Sequence, residues 1–252
     1  MATLAAHAAY RSQERNFFSG MALVMLLTVF VGFAPTYYPF PWFQGVTTRG
    51  VAGGASLSPL VHLHAILFSA WILLFLAQVS LIRLEHFELH RAFGTGGILL
   101  AAAMVVVGLW TAIASGRNAS TPPGWPNAEA FLIVPVTSIA MFVGFVSAAI
   151  LNRHRPDYHK RLMLLGAMAL LLPALARIVR MADLSFLPFG VRGGLVILNF
   201  FVATLVIFDL YSRQRLHPVT AWGVAIYLIA WPARLTVGYT EPWQGFARSL
   251  LN

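Results

Sequence analysis

Seven long apolar runs constrain this sequence more than any other feature. A helix needs about 20 apolar residues to cross the hydrocarbon core of a bilayer, and runs that meet this requirement occupy residues 17–38, 59–83, 93–115, 130–151, 162–181, 192–212 and 218–239. The connections between them are too short for a second domain. The pattern predicts an all-α integral membrane bundle of seven transmembrane helices, forming a single transmembrane domain over residues 1–252.

Composition excludes several classes of protein. Charged residues make up 10% of the chain, whereas soluble domains carry about a quarter, so most of the surface is expected to face lipid. The chain has no cysteine, which excludes disulfides, iron–sulfur clusters, c-type haem attachment and thiolate zinc sites. The basic residues lie between the apolar runs, so nucleic acid is not expected as a partner.

The distribution of basic residues predicts the topology. If the N-terminus is cytoplasmic, ten of the 17 Lys and Arg residues lie in inner segments. Of the remaining seven, three lie inside apolar runs (Arg177, Arg180 and Arg234) and only four lie in outer segments. Because basic residues accumulate on the cytoplasmic side, we predict a multi-pass membrane protein with its N-terminus inside and its C-terminus outside.

Histidine is concentrated on the predicted inner side. Five of the eight histidines lie there, near several carboxylates: His86, His90, His154, His159 and His217. Imidazole combined with carboxylate suits zinc or non-haem iron, which makes these five candidate metal ligands. The alternative is that polar helix ends simply meet the lipid headgroups, with His beside Arg contacting phosphate.

A second polar layer is predicted inside the outer half of the spans. At 1.5 Å per residue, its members lie roughly 7 to 10 Å below the outer helix ends; they are His64, Arg177, Arg180, Asn199 and Arg234. Only Asp183 and Glu241 are close enough in sequence to be counter-ions. The excess positive charge predicts an anionic ligand, such as a lipid headgroup or a carboxylate-bearing small molecule. In the alternative, each arginine extends separately to the headgroups.

The second apolar run carries a stripe that connects these two layers. Its members follow a helical 4-3-4-3 spacing: His64, Phe68, Trp71, Phe75 and Gln78. The stripe either packs inside the bundle through interhelical hydrogen bonds or lines a cavity. Pro173 and Pro232 predict kinks in the fifth and seventh spans.

Three segments resemble a group of uncharacterised bacterial polytopic membrane proteins. They are His62-Leu-His64 continuing through Gln78, Leu89-His-Arg-Ala-Phe-Gly94, and Pro156-Asp-Tyr-His-Lys-Arg-Leu-Met-Leu165. The resemblance covers residues 59–180 and implies a seven-helix, multi-pass protein of the bacterial inner membrane without a defined activity. More distantly, the chain is similar to transmembrane cytochromes b, in which histidines on neighbouring helices hold haem between them.

The outer layer departs from the cytochrome b pattern, because His62 and His64 lie on one helix. A haem with two histidine ligands is therefore expected near the inner side. His90 and His159 are the best candidate ligands, since they begin the third and fifth spans in matching basic contexts. We expect a protein that binds haem b or a divalent metal ion (Zn or Fe) in a redox role. The alternative is a non-catalytic accessory or structural subunit of a larger membrane complex.

Overall fold

A computed structural model describes residues 2–35, 37, 57–118, 121–122, 124–182 and 193–252, with side chains of the first helix described from residue 12. The regular structure in these ranges is helical throughout, without strands. In chain order the helices are α1 (Ala2–Phe33), α2 (Pro59–Arg83), α3 (Phe87–Arg117), α4 (Ala128–Leu151), α5 (Pro156–Met168), α6 (Leu172–Met181), α7 (Gly193–Arg213), α8 (Pro218–Gly238) and α9 (Glu241–Leu251). The predicted all-α fold class is confirmed for the described residues.

The long helices begin at recognisable capping residues. The Ser58 hydroxyl accepts a hydrogen bond from the Val61 N–H at 3.4 Å, and Pro59 occupies the first turn of α2. Asn127 accepts from the Ala130 N–H at 2.8 Å at the start of α4. These side chains satisfy amide groups that have no partner within the helix, and proline fits a first turn that needs no donor.

Five of the described helices are long and apolar enough to cross a membrane: Ser12–Phe33 within α1, α2, α3, α4 and Gly194–Arg213 within α7. The pair α5 and α6 meets the same criteria as one broken span. α8 has 21 residues but lies outside this set, because its Trp, Tyr, Pro and Arg residues lower its hydropathy. The structure therefore supports a multi-pass membrane bundle with five apolar spans, or six when the broken pair counts as one.

The predicted fifth span is broken where proline was expected to bend it. α5 ends at Met168, α6 begins at Leu172, and their axes differ by 47°. Pro173 lies in the first turn of α6, where its missing N–H and its ring prevent continuation of the preceding helix. The kink predicted at Pro173 is confirmed, whereas α8 continues through Pro232.

The core is centred on α5, which packs against α4 and also contacts α7. Fully buried side chains from these helices include Phe142, Leu164, Leu165, Met168 and Leu205. α2 joins this core through Trp71, whose ring packs edge-on against Phe142 at 4.9 Å. α4 and α5 approach closely at Gly166, where a Cβ would lie 3.0 Å from Val146.

One end of the bundle collects most of the interacting charges, and we call it the charged end. Its members are Glu14, Asp157, Lys160, Arg161, Asp209, Arg213 and His217. They belong to α1, to the first turns of α5, to the last turns of α7 and to the residue before α8. These segments were predicted to face the cytoplasm, and the structure places them together.

At the opposite end lies α9, which the apolar runs did not predict. The Trp243 indole N–H donates to the Glu129 carbonyl at 2.9 Å, and Arg117 donates to the Leu250 carbonyl at 3.0 Å. α8 also reaches this end, since a Cβ on Gly238 would lie 3.0 Å from the Ala130 carbonyl oxygen. Because α8 begins beside Asp209, it runs the full length of the bundle.

Candidate functional site

The structure brings His90 and His159 together near the charged end. Their ring centres lie 6.3 Å apart with the ring planes at 87°. His90 lies in the first turn of α3 and His159 in the first turn of α5, and both are half-buried. The two histidines singled out by matching sequence contexts are therefore neighbours in space.

One nitrogen of the His159 ring is already engaged. Nδ1 lies 2.9 Å from the carbonyl oxygen of Ala149, which can only accept, so this nitrogen carries the proton. Nε2 then has a lone pair available for a metal. Histidines that bind metals typically donate their second ring N–H to a backbone carbonyl or carboxylate in this way.

Gln78 extends the polar surface around His90. Its backbone carbonyl lies near the His90 ring. The side-chain amide nitrogen and oxygen of Gln78 and the Nδ1 of His90 are buried without a hydrogen-bond partner among the described residues. Gly94 leaves room here, because even a Cβ would remain 3.7 Å from the Gln78 amide nitrogen. Buried polar atoms of this kind usually have a partner, which for these atoms is not supplied by the described residues.

The other three inner histidines lie apart from this pair. His86 precedes α3 and is exposed at an open depression of about 600 Å³, together with Glu85 and Glu88. His154 is exposed in the turn between α4 and α5. Within the described ranges, no group of three or more His, Asp or Glu side chains is arranged to hold a metal ion. The five predicted ligands therefore do not form one cluster, and His90 and His159 are the pair that lies together.

His217 serves as a helix cap. Its Nδ1 accepts from the Val219 N–H at 3.1 Å, and its ring packs edge-on against Tyr158 at 4.8 Å. Burial lowers the pKa of His217, and the nearby Arg161 and Arg213 lower it further. The ring is therefore held neutral and its Nδ1 lone pair is occupied by the helix start.

Toward the opposite end, His64 and Arg177 form a second polar cluster. The His64 ring stacks on Phe68 at 4.0 Å, and its Nδ1 is buried without a hydrogen-bond partner among the described residues. Arg177 lies close enough to His64 for their charges to interact. Its guanidinium lies 4.4 Å from the centre of the Phe33 ring and donates to the Pro173 carbonyl at 3.2 Å.

Arg180 lies near Arg177 and is exposed. Neither arginine has a salt-bridge partner in the described part of the chain. Of the two predicted counter-ions, Glu241 pairs with Arg248 at 3.2 Å. Asp183 lies outside the described residues. The positive charge at Arg177 and Arg180 is therefore not neutralised by any described carboxylate.

Arg234 is deeply buried against α4. It donates to the Thr137 hydroxyl at 2.6 Å and to the Ser138 hydroxyl at 3.0 Å, and only 4% of it is exposed. Thr137 and Ser138 are not among the residues predicted for the outer site. Asn199, which was predicted for that site, is half-buried on α7. The structure places Arg177 near both His64 and Arg180, while Arg234 donates to a pair of hydroxyls that sequence analysis did not identify.

Unsatisfied polar atoms follow the predicted stripe of α2. Besides His64 and Gln78, the stripe includes Trp71, whose indole nitrogen is buried without a described hydrogen-bond partner. Phe68 packs at Gly108 of α3, where a Cβ would lie 3.3 Å from its ring. The stripe therefore faces the bundle interior and connects the His64–Arg177 cluster with the His90–His159 pair.

No protein-family model matches this sequence, and comparisons with curated proteins and with solved structures give no significant match.

Proposed function

We propose that this chain is a seven-span protein of the bacterial inner membrane that holds a metal centre between His90 and His159, which serves a redox role when the metal is iron. The centre is either the iron of haem b or a divalent ion, Zn or Fe. In this proposal the charged end is cytoplasmic, and the polar cluster around Arg177 lies near the outer face.

The length of α8 supports seven spans. It extends from His217, whose backbone N–H bonds Asp209, to Gly238 beside Ala130. It therefore covers the same distance as the apolar helices, although its composition is more polar. Counting the bent α5–α6 pair as one span and adding α8 to the five apolar helices gives seven crossings. An odd number places the two termini on opposite sides.

Basic residues support the orientation. Lys160, Arg161 and Arg213 all belong to the charged end, and Arg15 pairs there with Glu85 at 3.3 Å. Arginine and lysine accumulate on cytoplasmic ends of membrane helices. The charged end therefore corresponds to the cytoplasmic side.

The observation that carries the metal proposal is the separation of the two rings. A first-row metal bonds an imidazole nitrogen at about 2 Å, so two imidazoles that shared one metal would have ring centres within about 6 Å of each other. The His90 and His159 centres are 6.3 Å apart. The carbonyl that fixes Nδ1 of His159 supplies the second hydrogen bond typical of such a ligand.

The experiment is an absorbance spectrum and metal analysis of the detergent-purified protein, with His90→Ala and His159→Ala as test variants. His86→Ala and His154→Ala are matched controls, because these histidines lie on the same side but are exposed. We expect one equivalent of haem or metal in the wild type and in both controls, and loss of most of it in each test variant. A Soret band identifies haem, and a metal without this band identifies a bare ion.

Three results would contradict the proposal. The first is a wild-type protein without haem or stoichiometric metal. The second is a centre that survives both test substitutions, which would place the ligands elsewhere. The third concerns the redox role of an iron centre, which a haem or iron ion that dithionite does not reduce would exclude. Stoichiometric co-purification with other membrane subunits, without a cofactor, would instead favour the accessory-subunit alternative.

The cluster around Arg177 supports a second element of the proposal, a site for an anionic headgroup or carboxylate. Arg177 and Arg180 have no described carboxylate partner, and a charge inside a membrane is costly unless it is compensated. An anion held by the two guanidinium groups would supply that compensation. In the full form of this site, Asn199 and Arg234 join His64, Arg177 and Arg180 around the ligand.

A further inference from the structure

A groove of about 820 Å³ runs between α4 and α8 near the charged end. Small residues of α4 form one wall: Ala140, Gly144 and Ala148. Trp222 and Ile226 of α8 form the other wall, and Trp222 is 72% exposed. The walls are apolar, and both helices lie on the outside of the bundle here. An occupant of this groove therefore contacts the protein on one side and lipid on the other.

The groove becomes polar where it reaches the charged end. Asn152 and Tyr158 line this part. The guanidinium carbon of Arg155 lies 5.6 Å from the centre of the Tyr158 ring. Arg155 thus lies directly beside the polar end of an otherwise apolar groove.

The connections on both sides of this end carry exposed positive charge. The turn from α4 to α5 contributes Arg153 and Arg155, and the turn from α7 to α8 contributes Arg215. Asp157, in the first turn of α5, is already paired with Lys160 at 2.7 Å and with Arg213 at 3.4 Å. The mouth of the groove therefore has an excess of positive charge.

We propose that the groove binds an anionic phospholipid. One acyl chain lies along Ala140, Gly144 and Ala148, and the headgroup phosphate meets Arg155. Basic sites between membrane helices on the cytoplasmic side are suited to anionic headgroups, and a guanidinium can bond two phosphate oxygens at once. The site rests on the membrane placement proposed above and does not depend on the metal centre.

The two halves of the site predict different defects. Gly144→Leu places a side chain in the groove and disturbs nothing at its base, because no atom lies within 4 Å of a Cβ at this position. It should weaken binding of any phospholipid. Arg155→Gln removes charge from an exposed turn, so it should leave acyl-chain binding intact and weaken selectively the binding of an anionic lipid.

The experiment is native mass spectrometry of the purified full-length protein with added phosphatidylglycerol or phosphatidylcholine. We expect one phosphatidylglycerol to bind the wild type at least about fivefold more tightly than phosphatidylcholine, the preference expected from one basic residue near an anionic headgroup. Arg155→Gln should remove that preference, and Gly144→Leu should reduce retention of both lipids. Gly20→Leu and Arg83→Gln are the controls, since Gly20 also has nothing within 4 Å of its Cβ and Arg83 is exposed on the same side.

Equal retention of the two lipids by the wild type would overturn the proposal. So would test variants that behave like their controls, because the bound lipid would then be ordinary surrounding lipid. Arg155 is exposed and its substitution leaves the core intact. The lipid preference of Arg155→Gln therefore remains informative even if Gly144→Leu lowers stability. Lipid selectivity without a metal centre would contradict only the His90–His159 proposal, and a metal centre without lipid selectivity would contradict only this one.

Discussion

Arg161 binds one oxygen of Asp209 through two nitrogens. Its Nε lies 3.1 Å and one terminal nitrogen lies 2.5 Å from Oδ1. The second oxygen of Asp209 accepts from the Thr220 hydroxyl at 2.5 Å and from the His217 N–H at 3.1 Å. Both charged side chains are completely buried. The pair connects α5 to α7 and, through Asp209, to the start of α8.

Arg161→Leu should strongly destabilise the protein, because it leaves the Asp209 carboxylate buried without its cation. Removing one partner of a buried ion pair typically lowers the free energy of unfolding by about 3–5 kcal/mol. The double variant Arg161→Leu/Asp209→Leu should recover much of this loss, since no charge then remains buried. Unfolding of the detergent-solubilised protein measures both effects.

Lys160→Leu is the control for this prediction, because Lys160 is partly exposed and bonds Glu14 and Asp157 instead. Lys160→Leu should lower the free energy of unfolding much less than Arg161→Leu does. A double variant that is as unstable as the single Arg161→Leu would show that the ion pair itself, rather than its uncompensated half, provides the stability.

Stability should also fall in mild acid because of His217. Burial lowers the pKa of His217 below its usual 6.5, with Arg161 and Arg213 adding to this effect and outweighing Asp209 and Asp157. Between the lowered folded pKa and 6.5, the unfolded chain binds a proton that the folded protein does not. His217 therefore leaves the free energy of unfolding unchanged above about pH 6.5. Below that pH, the free energy of unfolding falls progressively as the unfolded chain takes up the proton.

His217→Asn tests this pH dependence. Asparagine keeps a side-chain acceptor for the first turn of α8 but does not titrate. The slope of unfolding free energy against pH, measured between about pH 5 and 6.5, should decrease by up to about 1.4 kcal/mol per pH unit, the value for one proton. An unchanged slope would show that His217 binds its proton equally in both states.

The helix positions could be predicted where local signals agree. The run predicted at 59–83 is the helix Pro59–Arg83, because a Ser58 cap and Pro59 mark its start and Arg83 ends the apolar run. α9 was not predicted, since its 11 residues are too short and too polar to register as a membrane run. Its local signals, Thr240 followed by an acidic residue and proline, are those of a helix start.

Partners distant in sequence could not be predicted. Arg161 and Asp209 are 48 residues apart, and Arg234 and Thr137 are 97 apart. Periodicity indicates which face of a helix is buried but not which helix covers it. The sequence identified Arg234 as a buried charge requiring an explanation, whereas only the packing of α4 against α8 shows that two hydroxyls meet it.

Gly32 allows α1 to approach α6 closely. A Cβ at this position would lie 2.6 Å from the Ala174 carbonyl oxygen, and that backbone atom cannot move without shifting α6. Gly32→Ala should therefore lower the unfolding temperature. Gly20→Ala is the matched control on the same helix, because nothing lies within 4 Å of its Cβ. It should be neutral or stabilising by up to about 1 kcal/mol, since alanine favours helix over glycine. Equal behaviour of the two variants would show that α1 and α6 separate at little cost.

A double-mutant cycle on Arg177 and Arg234 tests the full form of the outer anion site, with palmitate as the carboxylate probe. If both guanidinium groups hold one carboxylate, each substitution to leucine should weaken palmitate binding by about tenfold, as expected for a lost charge-assisted hydrogen bond. The double variant should lose less than the sum, with a coupling of at least about 0.5 kcal/mol. Arg248→Leu is the control, because Arg248 is exposed on α9 and pairs with Glu241.

The present contacts of the two arginines determine how the cycle is interpreted. Arg177 lies by His64 and Phe33, whereas Arg234 donates to Thr137 and Ser138. If Arg177→Leu alone weakens palmitate binding, the site is limited to the His64–Arg177 cluster, and Arg234→Leu should then lower stability without changing affinity. If neither substitution changes affinity, each arginine acts separately and the outer anion site is contradicted. Coupling between the two would instead require one ligand to touch both, because no described contact otherwise joins them.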